Sequence, residues 1–327
     1  MKQRPGVPDN GPLQKLRKEL LPLSLYSLAD DPDDNLNYYL DAYGINFQDD
    51  FTTVVYTAGY LNTDDGLRIF CQLWDQPGNS KGTVFIVHGY FDHSALYSHA
   101  IRFFLEQGYS VFAYDAPGHG LSDGESASID SFAYYTSVLR LCLNWSLDNE
   151  LPKPFHLFGQ SMGGAVITDL LTGDSFRRDQ YPLDKVILFA PLMRPVLWNW
   201  GRVQYHMVRC FLKQVPRKRS NNSNDDAFLT FLRNDPLQNK TLPTAWVGAM
   251  SKWIEKIEAI TQPCDFELLI VQGESDGTVD WRHNIPVYQR LYKSVDVHYL
   301  AEGKHHLVNE REDIRQEYFG WLTSKLS

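Results

Sequence analysis

An α/β fold, with a mostly parallel central sheet carrying helices on both faces, is what this sequence predicts, and two observations carry the prediction. The first is a regular alternation of short, nearly continuous apolar runs with helical stretches between Thr83 and Leu300. Strands buried on both faces read this way, and parallel strands need crossovers that lay helices on the sheet. The second is Gly159-Gln160-Ser161-Met162-Gly163-Gly164, set between the apolar run Phe155–Phe158 and the helical stretch Ala165–Leu171. That is G-x-S-x-G in the context of strand, tight turn and helix, where the glycines make a strained serine backbone sterically accessible.

In chain order, residues 1–12 read as a loose arm rich in Pro and Gly. Leu13–Leu21 and Leu36–Tyr43 read as short helices split by the acidic turn Asp30-Asp31-Pro32-Asp33-Asp34, so residues 1–50 form an N-terminal helical extension. Thr53–Thr57 and Leu67–Trp74 alternate like two strands joined near Asn62–Gly66. Strands follow at Thr83–His88, Ser110–Tyr114, Phe155–Gly159, Lys185–Ala190, Glu267–Gly273 and Val295–Leu300, with helices near Tyr97–Gln107, Ile129–Ser146 and after Ser161. Between Pro191 and Pro263, about seventy residues show no convincing strand. They hold helical stretches at Val203–Lys213, Ala227–Asn234 and Thr244–Ala259, with Arg217–Asp225 as an exposed loop. The expected organisation is a core split into 51–191 and 263–327, with a helical cap at 192–262 over the strand ends where ligands bind in such sheets.

Of 327 residues, 43% are hydrophobic and 22% charged, which describes a globular chain with ample core. A net charge of −9 argues against nucleic acid as a general partner. The stretch Leu192–Gln262 departs from that balance, with eleven Lys/Arg against five Asp/Glu. Four widely spaced cysteines, 71, 142, 210 and 264, indicate neither a zinc site nor a disulfide framework and fit reduced thiols of a cytoplasmic protein. Lys2, Arg4, Lys15, Arg17 and Lys18 before the apolar run Leu20–Ala29 imitate a leader, but Asp9, Glu19 and Pro22 argue against one. No apolar stretch approaches the ~18 residues of a membrane span.

A serine nucleophile needs a base within hydrogen-bond reach and an acid to orient that base. Val271-Gln-Gly-Glu-Ser-Asp276 places a carboxylate just past a strand end, with Asp280 farther on, and Ala301-Glu-Gly-Lys-His305-His306 supplies histidines after the last strand. The order Ser, Asp, His is that of the α/β-hydrolases. An oxyanion hole should draw one N–H from Met162 and another from the loop His88-Gly89-Tyr90-Phe91-Asp92-His93. Adjacent histidines rarely converge on one ion, so no metal and no cofactor is expected.

His88-Gly89, Asp92-His93-Ser94 and Tyr97 fall in an H-G-x-x-[ED]-H-S-x-x-Y pattern, and Asp115–Ser122 in D-x-x-G-H-G-x-S. With Gly159–Gly164, Gln272–Asp276 and Gly303–Glu310, these blocks resemble the monoacylglycerol lipase and lysophospholipase branch of the α/β-hydrolases, from about Thr53 onward. The resemblance implies Ser161 as nucleophile, Asp276 as acid and His305, rather than His306, as base. It implies the N–H groups of Tyr90 and Met162 as the oxyanion hole, with Phe91 and His93 touching substrate. Phe91 stands where the family often has Gly, so the loop must turn with a bulky residue, or Phe91 walls the acyl site. The activity implied is hydrolysis of a small lipid ester, a lysophospholipid or monoacylglycerol, with the positive cap as a peripheral contact to a membrane face. A proline-releasing aminopeptidase, an acyltransferase or an inactive binding protein on the same fold are the alternatives. The first needs acidic residues for a substrate ammonium, and the last should lack a triad member.

Overall fold

The computed structural model describes residues 7–25, 34–173, 176–218 and 220–326. Helices α1 (Asn10–Glu19) and α2 (Asp34–Tyr43) precede the sheet, and most of the predicted acidic turn lies outside the described residues. Strands β1 (Val55–Asn62) and β2 (Arg68–Asp75) form an antiparallel hairpin. Then come β3 (Thr83–Val87), α3 (Ser98–Glu106), β4 (Ser110–Tyr114), α4 (Phe132–Asp148), β5 (Phe155–Gln160), α5 (Met162–Thr172) and β6 (Leu183–Phe189). After the segment between β6 and Pro263, β9 (Cys264–Gly273), α9 (Trp281–Leu291), β10 (Tyr292–Leu300) and α10 (Glu312–Leu326) complete the core.

The eight strands lie in the order β1-β2-β4-β3-β5-β6-β9-β10, parallel from β4 to β10. Alternate residues of one strand feed two different cores, as a period of two requires. Phe85 and Val87 of β3 join the side covered by α4, α5 and α9, whereas Val84 and Ile86 join the side covered by α2, α3 and α10. Helices therefore cover both faces of a mostly parallel sheet, as the apolar continuity of β3–β6 predicts.

The N-terminal segment does two jobs. Leu21–Leu23 pairs with the outer strand, Tyr60 N–H donating to Leu21 O (3.0 Å) and Leu23 N–H to Tyr60 O (2.9 Å), so that edge is not left open. Tyr43 of α2 reaches the segment between β6 and β9, its hydroxyl donating to Asp235 Oδ1 at 2.7 Å.

That inserted segment holds α6 (Trp198–Val208), α7 (Asp226–Asn234) and α8 (Thr244–Glu258). It is not purely helical. β7 (Gln214–Pro216) and β8 (Thr241–Pro243) form a two-stranded antiparallel ribbon. Three-residue strands are too short to show a period, which is why the sequence conceals them. The predicted exposed loop at Arg217–Asp225 also needs correcting, because Ser223 is buried and donates its hydroxyl to Asn309 O at 2.7 Å. Along α6 and just beyond its ends, Leu197, Trp200, Val203, Met207 and Phe211 are exposed, as is Cys210. No described helix is long and apolar enough to cross a membrane.

Candidate active site

Ser161 sits between β5 and α5 with φ 53° and ψ −114°, a conformation L-residues rarely adopt. Close packing holds it there. A Cβ added at Gly163 would lie 1.9 Å from the Val87 carbonyl oxygen, so the start of α5 can press against β3 only through glycine. The Ser161 N–H donates to Phe189 O at the end of β6 (2.9 Å), and Met162 opens α5 beside it. The serine hydroxyl thus lies at a helix N-terminus, where unpaired N–H groups and the helix dipole favour negative charge.

Asp276 follows β9 and His305 follows β10, and the structure joins both to Ser161 in one hydrogen-bonded chain. The Ser161 hydroxyl lies 3.0 Å from His305 Nε2, and His305 Nδ1 lies 2.8 Å from Asp276 Oδ2. With Nδ1–H donating to the carboxylate, Nε2 is left to accept the serine proton. Asp276 Oδ1 accepts from the N–H groups of Thr278 (2.7 Å) and Val279 (3.1 Å), which fixes the carboxylate plane. Burial opposes ionisation of Asp276, but His305 and these two N–H groups outweigh it and hold its carboxyl below the usual range. Burial likewise opposes charge on His305, and Asp276, with a smaller contribution from Asp92, overcomes it and raises the imidazole above its ordinary value. Asp280 does not reach this chain; it caps α9 through the His283 N–H.

His306 faces the other way. Its Nε2 lies 3.2 Å from Asp92 Oδ1, and its Nδ1 is 3.4 Å from the Asn309 amide nitrogen. Asp92 Oδ2 accepts from the Tyr97 hydroxyl (2.9 Å), which in turn accepts from the Gly89 N–H (2.8 Å). Burial disfavours the Asp92 charge, yet His306 and His88 override it and keep the carboxyl well below the usual range. This buried network pins the loop that carries Tyr90 and Phe91. Glu310 does similar work for the histidine loop, accepting from the N–H groups of Lys304 and Asn224, each at 2.8 Å. The motif blocks contained Asp92, Tyr97 and Glu310, but nothing in their spacing revealed what each holds.

A cavity of about 780 Å³ opens over Ser161 and His305, within the range of small-molecule sites. Tyr90 and Phe91 line it, Phe91 with φ 67°, so the loop does turn on a bulky residue. The Tyr90 ring stacks on Trp246 at 3.7 Å. His93 is a correction. It is wholly buried, does not line the cavity, and places Nε2 2.8 Å from Asp235 Oδ2. Buried imidazoles need a partner, and this one ties the core to the segment inserted between β6 and β9 instead of meeting a ligand. Trp198 and Trp246 also line the cavity, Trp253 is buried on Phe132, and Trp200 faces solvent. No group of residues fit to hold a metal ion occurs among the described residues.

The family model described as serine aminopeptidase, S33, matches residues 78–312. Human monoglyceride lipase is 33% identical over 108 residues, 33% of this chain and 35% of that protein. A monoacylglycerol lipase of Mycolicibacterium smegmatis is 28% identical over 281 residues, covering 80% of this chain and 95% of that one. The alignment spans about a third of the length of several curated relatives, the human protein among them. Among solved structures, a soluble variant of monoglyceride lipase from Saccharomyces cerevisiae, in complex with a substrate analog, superposes with a TM-score of 0.68 at 17% identity. It covers 82% of this chain and 94% of that one, a likeness of fold alone. The chain belongs to the serine aminopeptidase S33 family of α/β-hydrolases, and within that fold it is similar to the monoacylglycerol lipases.

Proposed function

We propose that this protein hydrolyses the ester of a monoacyl lipid through an acyl-enzyme. The observation that carries the reading is the unbroken chain Asp276–His305–Ser161 at the base of a largely apolar cavity. His305 Nε2 takes the Ser161 proton as the oxygen attacks the ester carbonyl, and Asp276 steadies the imidazolium. The N–H groups of Tyr90 and Met162 receive the developing oxyanion. Collapse expels the alcohol, which leaves with the proton from His305. Water then gives a proton to the same nitrogen as its oxygen attacks the acyl carbon, and collapse breaks the bond to Ser161 Oγ, which takes that proton back from His305 as the acid leaves. A fluorophosphonate probe should label the wild type at Ser161 and leave Ser161→Ala unlabelled; undiminished labelling of that variant would refute the assignment.

An aminopeptidase must neutralise a substrate ammonium, yet no carboxylate lines the cavity among the described residues, which favours an ester. The apolar stripe Leu197, Trp200, Val203, Met207 and Phe211, flanked by Arg202, Arg209 and Lys213, suits contact with an anionic lipid surface. Flotation with phosphatidylglycerol vesicles tests this contact. Trp200→Ser/Phe211→Ser should stay at the bottom of the gradient while the wild type rises.

A further inference from the structure

The cavity carries a charge asymmetry. Arg217, Lys218 and Arg233 line it and, among the described residues, no aspartate or glutamate does, in a chain of net charge −9. The cavity's apolar lining includes Trp198 and Val208 of α6 and Val247 and Met250 of α8. Arg217 is half-buried, whereas Lys218 and Arg233 are exposed at the rim. The Arg217 guanidinium lies 4.2 Å from the centroid of the Phe91 ring, next to Tyr90, whose N–H the reading above gives to the oxyanion. Nη1 donates to Gln238 Oε1 (2.8 Å) and Asn239 O (3.3 Å), and Gln238 Nε2 is 3.4 Å from Asp235 Oδ2. The guanidinium is thus held by the Gln238 side chain, itself part of the cavity lining, and by a backbone carbonyl before any ligand arrives, which lowers the ordering cost of binding.

We infer that this basic lining reads a phosphate on the alcohol half of the substrate, so that the preferred ester is an anionic monoacyl lipid with its chain against α6 and α8. The inference rests on the serine-ester reading above and narrows it. A guanidinium presents a planar fork of donors to oxyanions, and a phosphate monoester offers three strong acceptor oxygens with up to two charges. Asn221 and Asn222 also line the cavity, Asn221 Oδ1 accepting from Arg233 Nη2 at 3.2 Å. A carboxylate would use only part of that set, and an uncharged glycerol almost none of its charge. Inside a cleft with low-dielectric walls such a field is focused on the bound head group.

The test compares kcat/KM for three acyl-matched octanoyl esters, kept below their micelle concentrations so that no lipid surface contributes. Their alcohol halves are glycerol phosphate, glycerate and glycerol. The phosphate ester should exceed the glycerol ester by about tenfold or more, with glycerate between them. Arg217→Gln should reduce the phosphate-to-glycerol ratio to about threefold or less, and Lys218→Gln/Arg233→Gln should lower it part of the way. The ratio is the readout because it cancels any general loss of activity. Arg178→Gln, whose partner Asp265 lies at the opposite end of β9 from Asp276, should leave the ratio unchanged. A wild-type preference for glycerol or glycerate overturns the proposal, as does a ratio indifferent to Arg217→Gln or equally sensitive to Arg178→Gln. Turnover of p-nitrophenyl butyrate separates the two levels. If it survives Ser161→Ala, the serine reading falls and takes this one with it; if it is Ser161-dependent and no phosphate preference exists, only the head-group inference falls.

Discussion

His306 faces Asp92 at 3.2 Å while its neighbour His305 faces Asp276 at 2.8 Å, so two adjacent imidazoles serve two different carboxylates. Substitutions should separate them. His305→Ala removes the group facing Ser161 and should lower kcat on an activated ester by about 10⁴-fold or more. His306→Ala loosens the Asp92–Tyr97–Gly89 support and should cost less, on the order of 10²-fold, as when one oxyanion donor is lost. Single-turnover acylation measures both, and a larger loss in His306→Ala would reverse the two roles.

The pH profile follows from the charges around His305. Its imidazole must be neutral to accept the serine proton, and Asp276 with Asp92 raises its pKa despite burial. Activity should therefore fade as pH drops through a midpoint above about 6.5, the ordinary imidazole value. Asp276→Asn should move that midpoint down and lower kcat by about 10⁴-fold. A midpoint that stays put in the variant would assign the limb to another group.

Gly163 leaves no room for a side chain, its added Cβ falling 1.9 Å from Val87 O. Gly163→Ala must push α5 off β3, and with it Ser161. Overpacking of this kind costs about 1–3 kcal/mol or more. Denaturant titration should show that loss, accompanied by weaker fluorophosphonate labelling. Gly201→Ala, with nothing within 4 Å of the added methyl, is the tolerated counterpart.

Asp235, from the segment inserted between β6 and β9, forms a buried cluster with Tyr43 and His93 of the core. Burial opposes charge on both members of the His93–Asp235 pair, yet each outweighs it for the other, raising the imidazole and depressing the carboxyl. The raised His93 contributes stability that is whole below the ordinary imidazole value and lost as pH climbs through its folded pKa. The depressed Asp235 contributes above the ordinary carboxylate value and loses it as pH falls through its folded pKa. Both contributions coexist between about pH 4 and 6.5. The melting temperature of Asp235→Asn should fall most, relative to wild type, inside that window and less at pH 9. Equal losses at both would remove the ion pair as the cause.

How far the sequence alone could go depended on range. β3 to β6 were legible because each is a nearly continuous apolar run separated from the next by a helix. Ser161, Asp276 and the pair His305-His306 could be grouped because each follows a strand, and strand ends in a parallel sheet share one rim, whereas the choice of His305 over His306 came from the family resemblance. β7 and β8 were illegible at three residues each, and α9 carries Pro286 inside it, which interrupts a helical reading. His93 was misjudged for another reason. Its partner Asp235 lies 142 positions away, and no local pattern encodes a pairing across that distance. The same holds for Ser223, whose burial depends on the distant Asn309 carbonyl.

Cys210 ends the apolar stripe of α6 beside Phe211, whose side chain is 85% exposed. Cys71 and Cys142 are buried, and burial pushes the half-buried Cys264 thiol up to about 11, leaving it mostly protonated at neutral pH. A maleimide fluorophore should consequently attach at position 210 first, without any engineered cysteine. Such a dye stands at the edge of the surface proposed for lipid contact, so its emission colour becomes a built-in gauge of that proposal. Wild-type protein can then report whether this face touches a vesicle.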